Sequence, residues 1–194
     1  DYRLALLQEF TAQQRADFES LQLQYAYLST SNTSCVALQN ALENSVTQLE
    51  DARVKLEQYL RASATPTAFL LEKREYMLAE IRYWLLAGQT EHACGKDHVR
   101  VLFFYQDDDA CSDCSAQGYI LTSLKDTFDE KLLIFSLDAT SGEPMVRIIR
   151  DVYNITMAPS IVVDEEVFSG LTIEKDLFDT ICSHFTTPLA PCSS

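Results

Sequence analysis

The chain has 194 residues, 47% of them hydrophobic and 23% charged, a composition that fits a folded globular protein and excludes wholesale disorder. Glycine and proline number five each, too few for a collagen-like or loop-dominated chain, and no apolar run is long enough to span a bilayer. With 29 acidic and 15 basic side chains the net charge is −14, a field that repels phosphate backbones and argues against a nucleic-acid partner.

The sequence opens on Asp1 rather than Met, so we expect a missing preceding segment, such as a signal peptide or a membrane anchor. Cysteines fall at 35, 94, 111, 114, 182 and 192. An even count fits three disulfides and an oxidising, extracytoplasmic compartment.

Residues 1–88 read as helical. Leu4, Leu7, Thr11, Gln14, Phe18, Leu21, Tyr25 and Leu28 recur at alternating steps of three and four, a heptad seam with polar slots at 11 and 14. The run Ser29-Thr30-Ser31-Asn32-Thr33-Ser34 breaks it with turn formers that also cap the next helix. A second seam follows through Cys35, Leu38, Leu42, Ser45, Leu49, Ala52, Leu56 and Tyr59, widened by Val46 and Leu60. After Ala62-Ser63-Ala64-Thr65-Pro66, a third helix carries Leu70, Met77, Ile81 and Trp84 and is expected to end near Gly88. Two seams joined by a short turn predict that the first two helices fold back as an antiparallel hairpin. The same stripe also suits a homodimer.

After a linker at 89–98, residues 99–194 change pattern. Val99 to Tyr105 is a strand by β-branched and aromatic content. A helix follows through Ala116, Tyr119, Ile120, Leu124 and Phe128, then a strand from Leu132 to Leu137 and a helix from Met145 to Tyr153. Ser160–Val163 and Glu166–Phe168 form a hairpin, and a closing helix at 173–185 puts Ile173, Leu177, Phe178 and Ile181 on one face. Apolar strands separated by helices predict an α/β sheet with one antiparallel hairpin.

The pattern that carries chemistry is Cys111-Ser112-Asp113-Cys114, between the first strand and its helix. At a helix N-terminus, unpaired amides and the positive dipole end favour the thiolate of the first cysteine. That thiolate can attack a disulfide, and the second cysteine resolves the mixed disulfide. A Cys-x-x-Cys alone is weak; one that opens a helix after a strand in a βαβ pattern is much stronger.

Residues 99–185 resemble a thioredoxin-fold domain of the thioredoxin and protein disulfide isomerase type. Besides the dithiol, Tyr153-Asn154-Ile155-Thr156-Met157-Ala158-Pro159-Ser160 resembles the family's cis-proline segment, and Phe168-Ser169-Gly170-Leu171 its strand–glycine–helix ending. The resemblance implies thiol–disulfide exchange on a protein substrate or redox partner. Cys111 would be the nucleophile and Cys114 the resolving thiol. A cis Ala158-Pro159 bond would lie against the Cys111 sulfur and pair with an extended substrate. It implies no cofactor, since the dithiol is the redox group. The helical region lies outside the resemblance.

The chain also departs from the family pattern. Ala110 stands where relatives carry tryptophan, and Ser112-Asp113 where they carry Gly-Pro or Gly-His. The family's buried carboxylate falls near Phe104 or Tyr105, so that proton acceptor is absent. Asp107, Asp108, Asp109 and Asp113 surround the dithiol instead, and negative neighbours disfavour a thiolate. We therefore expect a less acidic Cys111 and a disulfide that is harder to reduce.

Two other readings compete. In one, Cys111–Cys114 is a permanent disulfide in a redox-silent interaction scaffold that uses the helical arm for assembly. In the other, His92, Cys94 and His98 join Cys111 and Cys114 around zinc; the dithiol already has a better explanation, and no metal is expected.

The remaining cysteines have positional readings. Cys182–Cys192 would pin the C-terminal tail to the last helix, and Cys35–Cys94 would staple the helices to the linker. Six cysteines allow fifteen pairings, and buried free thiols remain the alternative. Asn32-Thr33-Ser34 and Asn154-Ile155-Thr156 fit a glycosylation pattern that is frequent by chance.

Overall fold

A computed structural model describes residues 2–28, 34–61, 65–95, 98–107 and 109–193, excluding the side chains at 2, 4–9, 12, 17, 19 and 25–27. The turn at 29–33, the 62–64 interruption, Asp108 and the seam side chains of Leu4, Leu7 and Tyr25 lie outside that description. Three long helices come first: α1 (Tyr2–Leu28), α2 (Cys35–Arg61) and α3 (Pro66–Cys94). They are followed by β1 (Val99–Tyr105), α4 (Ser112–Phe128), β2 (Leu132–Asp138), α5 (Pro144–Val152), β3 (Ser160–Val163), β4 (Glu166–Ser169) and α6 (Glu174–His184).

The sheet runs in the order β2-β1-β3-β4, with β2 parallel to β1 and both β1–β3 and β3–β4 antiparallel. The central strands β1 and β3 are mostly apolar and buried, interrupted only by Arg100 and Ser160, because helices cover both faces. Alternate residues of β1 point to opposite sides. Val99, Val101 and Phe103 pack with Leu121, Leu124 and Phe128 of α4 and with Leu177 and Ile181 of α6. Leu102 and Phe104 pack with Met77 and Ile81 of α3 and with Val146 and Ile149 of α5.

An antiparallel helical hairpin is present, formed by α2 and α3, while residues 29–33, which would turn α1 back onto α2, lie outside the description. The second seam faces α3: Leu38 and Ser45 are buried, and Leu42, Leu49, Ala52, Leu56 and Tyr59 are half-buried. A Cys35–Cys94 disulfide joins the start of α2 to the end of α3 and fixes their antiparallel sense. Arg82 Nη1 donates to Gln48 Oε1 across the pair at 2.6 Å. The seam is narrower than expected, since Val46 and Leu60 face solvent. Of the first seam, Leu21 and Leu28 border a cavity beside α2 and α3, while Thr11, Gln14 and Phe18 are exposed.

α3 starts where expected but packs and ends differently. It begins with Thr65 as N-cap, whose hydroxyl accepts from the Ala68 N–H, and with Pro66 in its first turn. Leu70 is exposed, and the packed face starts at Met77. The helix does not end at Gly88. A Cβ there would lie 2.9 Å from an Arg100 guanidinium nitrogen, so Gly88 makes room for an arginine that pairs with Glu91 at 3.1 Å. The stop comes at Gly95, at φ 95°. The expected 89–98 linker is therefore mostly helix, and α3 belongs as much to the sheet's core as to the helical arm. Ile173, placed on the shared face of the closing helix, is exposed as well, and so is Tyr119 of α4.

Candidate functional site

β1 delivers the chain to Tyr105, and a short turn then leads into α4. An Ala110 N–H donates to the Asp107 carbonyl at 2.9 Å within this turn, and Cys111 is the residue that caps α4. Cys111 and Cys114 form a disulfide, and the Cys114 N–H donates to the Cys111 carbonyl at 3.2 Å. Both cysteines belong to the core cluster under α4 and α6, and Cys111 keeps only 7% of its surface exposed. The two cysteines thus sit in the first turn of α4, at the positive end of its dipole.

Just before β3, the Ala158–Pro159 peptide is cis. Pro159 is buried, and Ala158 packs against the cluster that contains Cys111 and Cys114. The segment is fastened on both sides. Ser160 Oγ donates to the Met157 carbonyl at 2.8 Å, and the Gly170 N–H donates to the Pro159 carbonyl at 2.8 Å. Gly170 sits at φ 81°, which favours glycine. Met157 lies across it, its methyl 4.0 Å from where a Cβ would stand. Met157 and Leu171 are about half exposed, so apolar side chains flank the cis-proline segment.

Sequence reasoning missed the residue that ties these two parts together. Gln117, one turn after Cys114, is fully buried. Its Oε1 accepts from the Thr172 N–H at 2.7 Å and its Nε2 donates to the Thr172 carbonyl at 3.3 Å, locking the loop after β4 to α4. A lone polar residue among the apolar positions of the helix was the available signal.

Of the carboxylates expected around the site, Asp107, Asp109 and Asp113 are exposed. Asp107 is not isolated. Lys73, from α3, places its Nζ 3.3 Å from Asp107 Oδ1, 2.5 Å from Asp138 Oδ2 and 5.6 Å from the centre of the Tyr105 ring. Burial pushes the Asp138 carboxyl up, but hydrogen bonds from Lys73 and Thr140 outweigh it and hold the group below its ordinary value. Tyr105 occupies the strand position where a buried carboxylate was sought, and burial pushes its phenol up. The buried carboxylate stands one strand over, since Asp138 is directly opposite Tyr105 in the β1–β2 ladder. Neither Lys73 nor Asp138 carries a sequence signal, because their partners are about 30 to 65 positions away.

The other cysteines pair as Cys35–Cys94 and Cys182–Cys192, with Cα atoms 5.3 and 5.6 Å apart. All six thiols are thus used, which removes the ligands that the zinc reading needed. His92 is exposed and His98 buried, and among the described residues no three His, Cys, Asp or Glu side chains gather as a metal site.

No protein-family model matches the chain, and no curated relative does. Among solved structures, the chain is similar to the germline-specific thioredoxin Deadhead of Drosophila melanogaster, at 16% identity and a TM-score of 0.39, over 56% of this chain and 94% of that one. It is also similar to thioredoxin-2, a component of malaria parasite protein secretion machinery, at 18% identity and a TM-score of 0.36, over 45% and 84% of the two chains. The oxidised mitochondrial thioredoxin 3 of Saccharomyces cerevisiae matches at 19% identity and a TM-score of 0.35, over 44% and 79%. The fold assignment stands on this chain's own strand order, with a disulfide-bonded dithiol at the β1–α4 junction and a cis-proline just before β3: residues 99–185 have a thioredoxin-like fold.

Proposed function

We propose that the protein is a thiol–disulfide oxidoreductase that acts on protein disulfides outside the cytoplasm. The observation that carries this reading is the Cys111–Cys114 disulfide at the start of α4, packed in one cluster with Ala158 of the cis-proline segment. In the reduced protein, the Cys111 thiolate attacks one sulfur of a substrate disulfide and expels the other as a thiolate. Cys114, deprotonated, then attacks the Cys111 sulfur. The substrate leaves with both sulfurs reduced, and its two electrons come from the pair, which ends as the Cys111–Cys114 disulfide. A dithiol reductant returns it to the start; a substrate dithiol runs the steps in reverse. Cys111 is the side to be attacked because it caps α4 and keeps slightly more of its surface exposed than Cys114, 7% against 4%.

An oxidising compartment is supported by the pairing of all six cysteines. Exposed Phe10, Phe18 and Leu23 on α1 support a partner for the helical arm, a second copy included.

The competing reading, a redox-silent scaffold, draws on the near-complete burial of Cys111. Alkylation and mass mapping of the pair across defined thiol buffers separate the two. A reversible couple between about −120 and −270 mV is expected of an exchange protein. A pair that stays oxidised below about −300 mV behaves as a structural disulfide and rejects the proposal.

A further inference from the structure

Lys73 is a cation from the helical region placed at the end of the sheet that carries the dithiol. Its side chain is largely buried, and its Nζ reaches Asp138 at 2.5 Å, Asp107 at 3.3 Å and the face of Tyr105 at 5.6 Å. Each partner leads towards the sulfurs. Tyr105 ends β1 and packs against the cluster that holds Cys111 and Cys114. Asp107 precedes Cys111 by four residues and accepts the Ala110 N–H that shapes the turn. Asp138 ends β2 beside Tyr105, and the Ala139 N–H donates to the Tyr105 carbonyl at 2.8 Å.

We propose that Lys73 is a positioning residue for the dithiol: it holds the turn before Cys111 against α3 and offsets the carboxylates there, so the balance between Lys73 and Asp138 sets how readily the disulfide is reduced. The inference rests on reading Cys111–Cys114 as an exchanging pair. Lys73 neither gives nor takes a proton, and its ammonium stays charged throughout. Its field acts on the proton that a Cys111 thiol releases to water and on the thiolate left behind. The hydrogen bond to Asp138 and the surrounding carboxylates more than offset the effect of burial and keep the ammonium protonated well into the alkaline range.

The test is a pair of single substitutions with opposite charge consequences. Lys73→Met removes the cation and leaves Asp138 and Asp107 uncompensated. Asp138→Asn removes the buried anion, leaves Lys73 with only the exposed Asp107 as a carboxylate partner and keeps an acceptor for Thr140. The equilibrium constant for reduction of the pair by glutathione is expected to fall about three- to tenfold in Lys73→Met and to rise by a similar factor in Asp138→Asn. Titration of the Cys111 thiol in the fully reduced proteins should move correspondingly, upward in the first and downward in the second. Lost packing would shift both variants the same way, so same-direction changes, or changes below about twofold, overturn the proposal. Should Lys73→Met fail to fold, as judged by circular dichroism, Asp138→Asn with the double variant Lys73→Met/Asp138→Leu decides. The double variant, which replaces the pair by apolar groups, should fall on the Lys73→Met side of Asp138→Asn, and overlap of the two rejects the inference. A wild-type pair irreducible by thiol buffers would reject the exchange reading instead, while the thiol titration of phosphine-reduced protein would still report on Lys73.

Discussion

The sheet and the helical hairpin are held together by different means. In the sheet, β1 is buried on both faces, and Leu102, Phe104, Phe135 and Leu137 are almost wholly withdrawn from water. In the hairpin, α2 buries only Leu38 and Ser45 completely, and most of its seam is half-exposed. A covalent staple takes up part of that deficit: Cys35–Cys94 closes a loop with a sequence separation of 59. α3 joins the two regimes. One stretch of it, through Met77 and Ile81, is sheet core, while Lys73 and Arg74 pair with Asp138 and with the buried Glu143. A thin apolar seam thus relies on cross-links and charge pairs, whereas a doubly covered sheet relies on excluded area.

The comparison can be broken most forcefully in the core. Phe104→Ala should cost about 3–5 kcal/mol in urea unfolding, because a cavity would open on the α3–α5 face. Leu42→Ala, on the half-exposed seam, should cost well under half as much. Equal losses would mean that the hairpin packs as tightly as the sheet. Next in size is removal of the staple. Cys35→Ser/Cys94→Ser should cost about 2–4 kcal/mol through the longer free loop of the unfolded chain. Hydrogen exchange should locate the loosening in α2, with β1 and β3 still protected.

Glu80 sharpens the comparison at the boundary between the two regions. This α3 carboxyl is buried, accepts the Ser136 N–H of the β2 edge at 3.1 Å and accepts from the Tyr76 hydroxyl at 3.3 Å. Burial raises it to about 8 from 4.5, against the lowering effect of those two hydrogen bonds. An acid raised on folding binds its proton more tightly in the native state. Stability is therefore full below about pH 4.5 and declines as pH rises to about 8. Wild-type protein should lose on the order of a few kcal/mol across that window from this group. Glu80→Gln keeps the acceptor and should flatten the decline in thermal melts taken from pH 5 to 9. A variant that declines in parallel with the wild type would remove Glu80 as the cause.

The smallest effect belongs to α1. Phe18→Ser, at a position 59% exposed, should change monomer stability by no more than about 0.5 kcal/mol. If α1 binds a second copy, the same substitution should still lower the sedimentation coefficient at high concentration, and unchanged sedimentation would leave the stripe without a self-pairing role.

Much of the candidate site was legible locally. Cys111 and Cys114 lie three apart at a strand–helix junction, and their spacing and placement carry the same information in one dimension as in three. Ala158-Pro159 and Gly170 were legible by resemblance, because a motif is a local arrangement of backbone. Gln117 and Thr172, Lys73 and Asp138, and Glu80 and Ser136 were not legible. Each is half of a pair whose partner lies on another element, and apart from Gln117, a polar residue among apolar helix positions, no half looks unusual alone. Gly88 misled because glycine ends helices often, while here it clears space for Arg100. The first seam misled because heptad spacing states that a stripe needs a partner without naming it.

By itself the sequence determined the order of elements, the largely apolar strands, the helical seams and the place of the Cys111–Cys114 pair. Each follows from side-chain period, turn chemistry and spacing along the chain. Tertiary structure alone decided that α3 rather than α1 takes up the α2 seam, that α3 runs on to Cys94 and into the sheet's core, and that Lys73 meets Asp138 beneath the dithiol turn. These choices depend on which surfaces meet and which charges are desolvated together, and those quantities exist only once distant segments have been brought into contact.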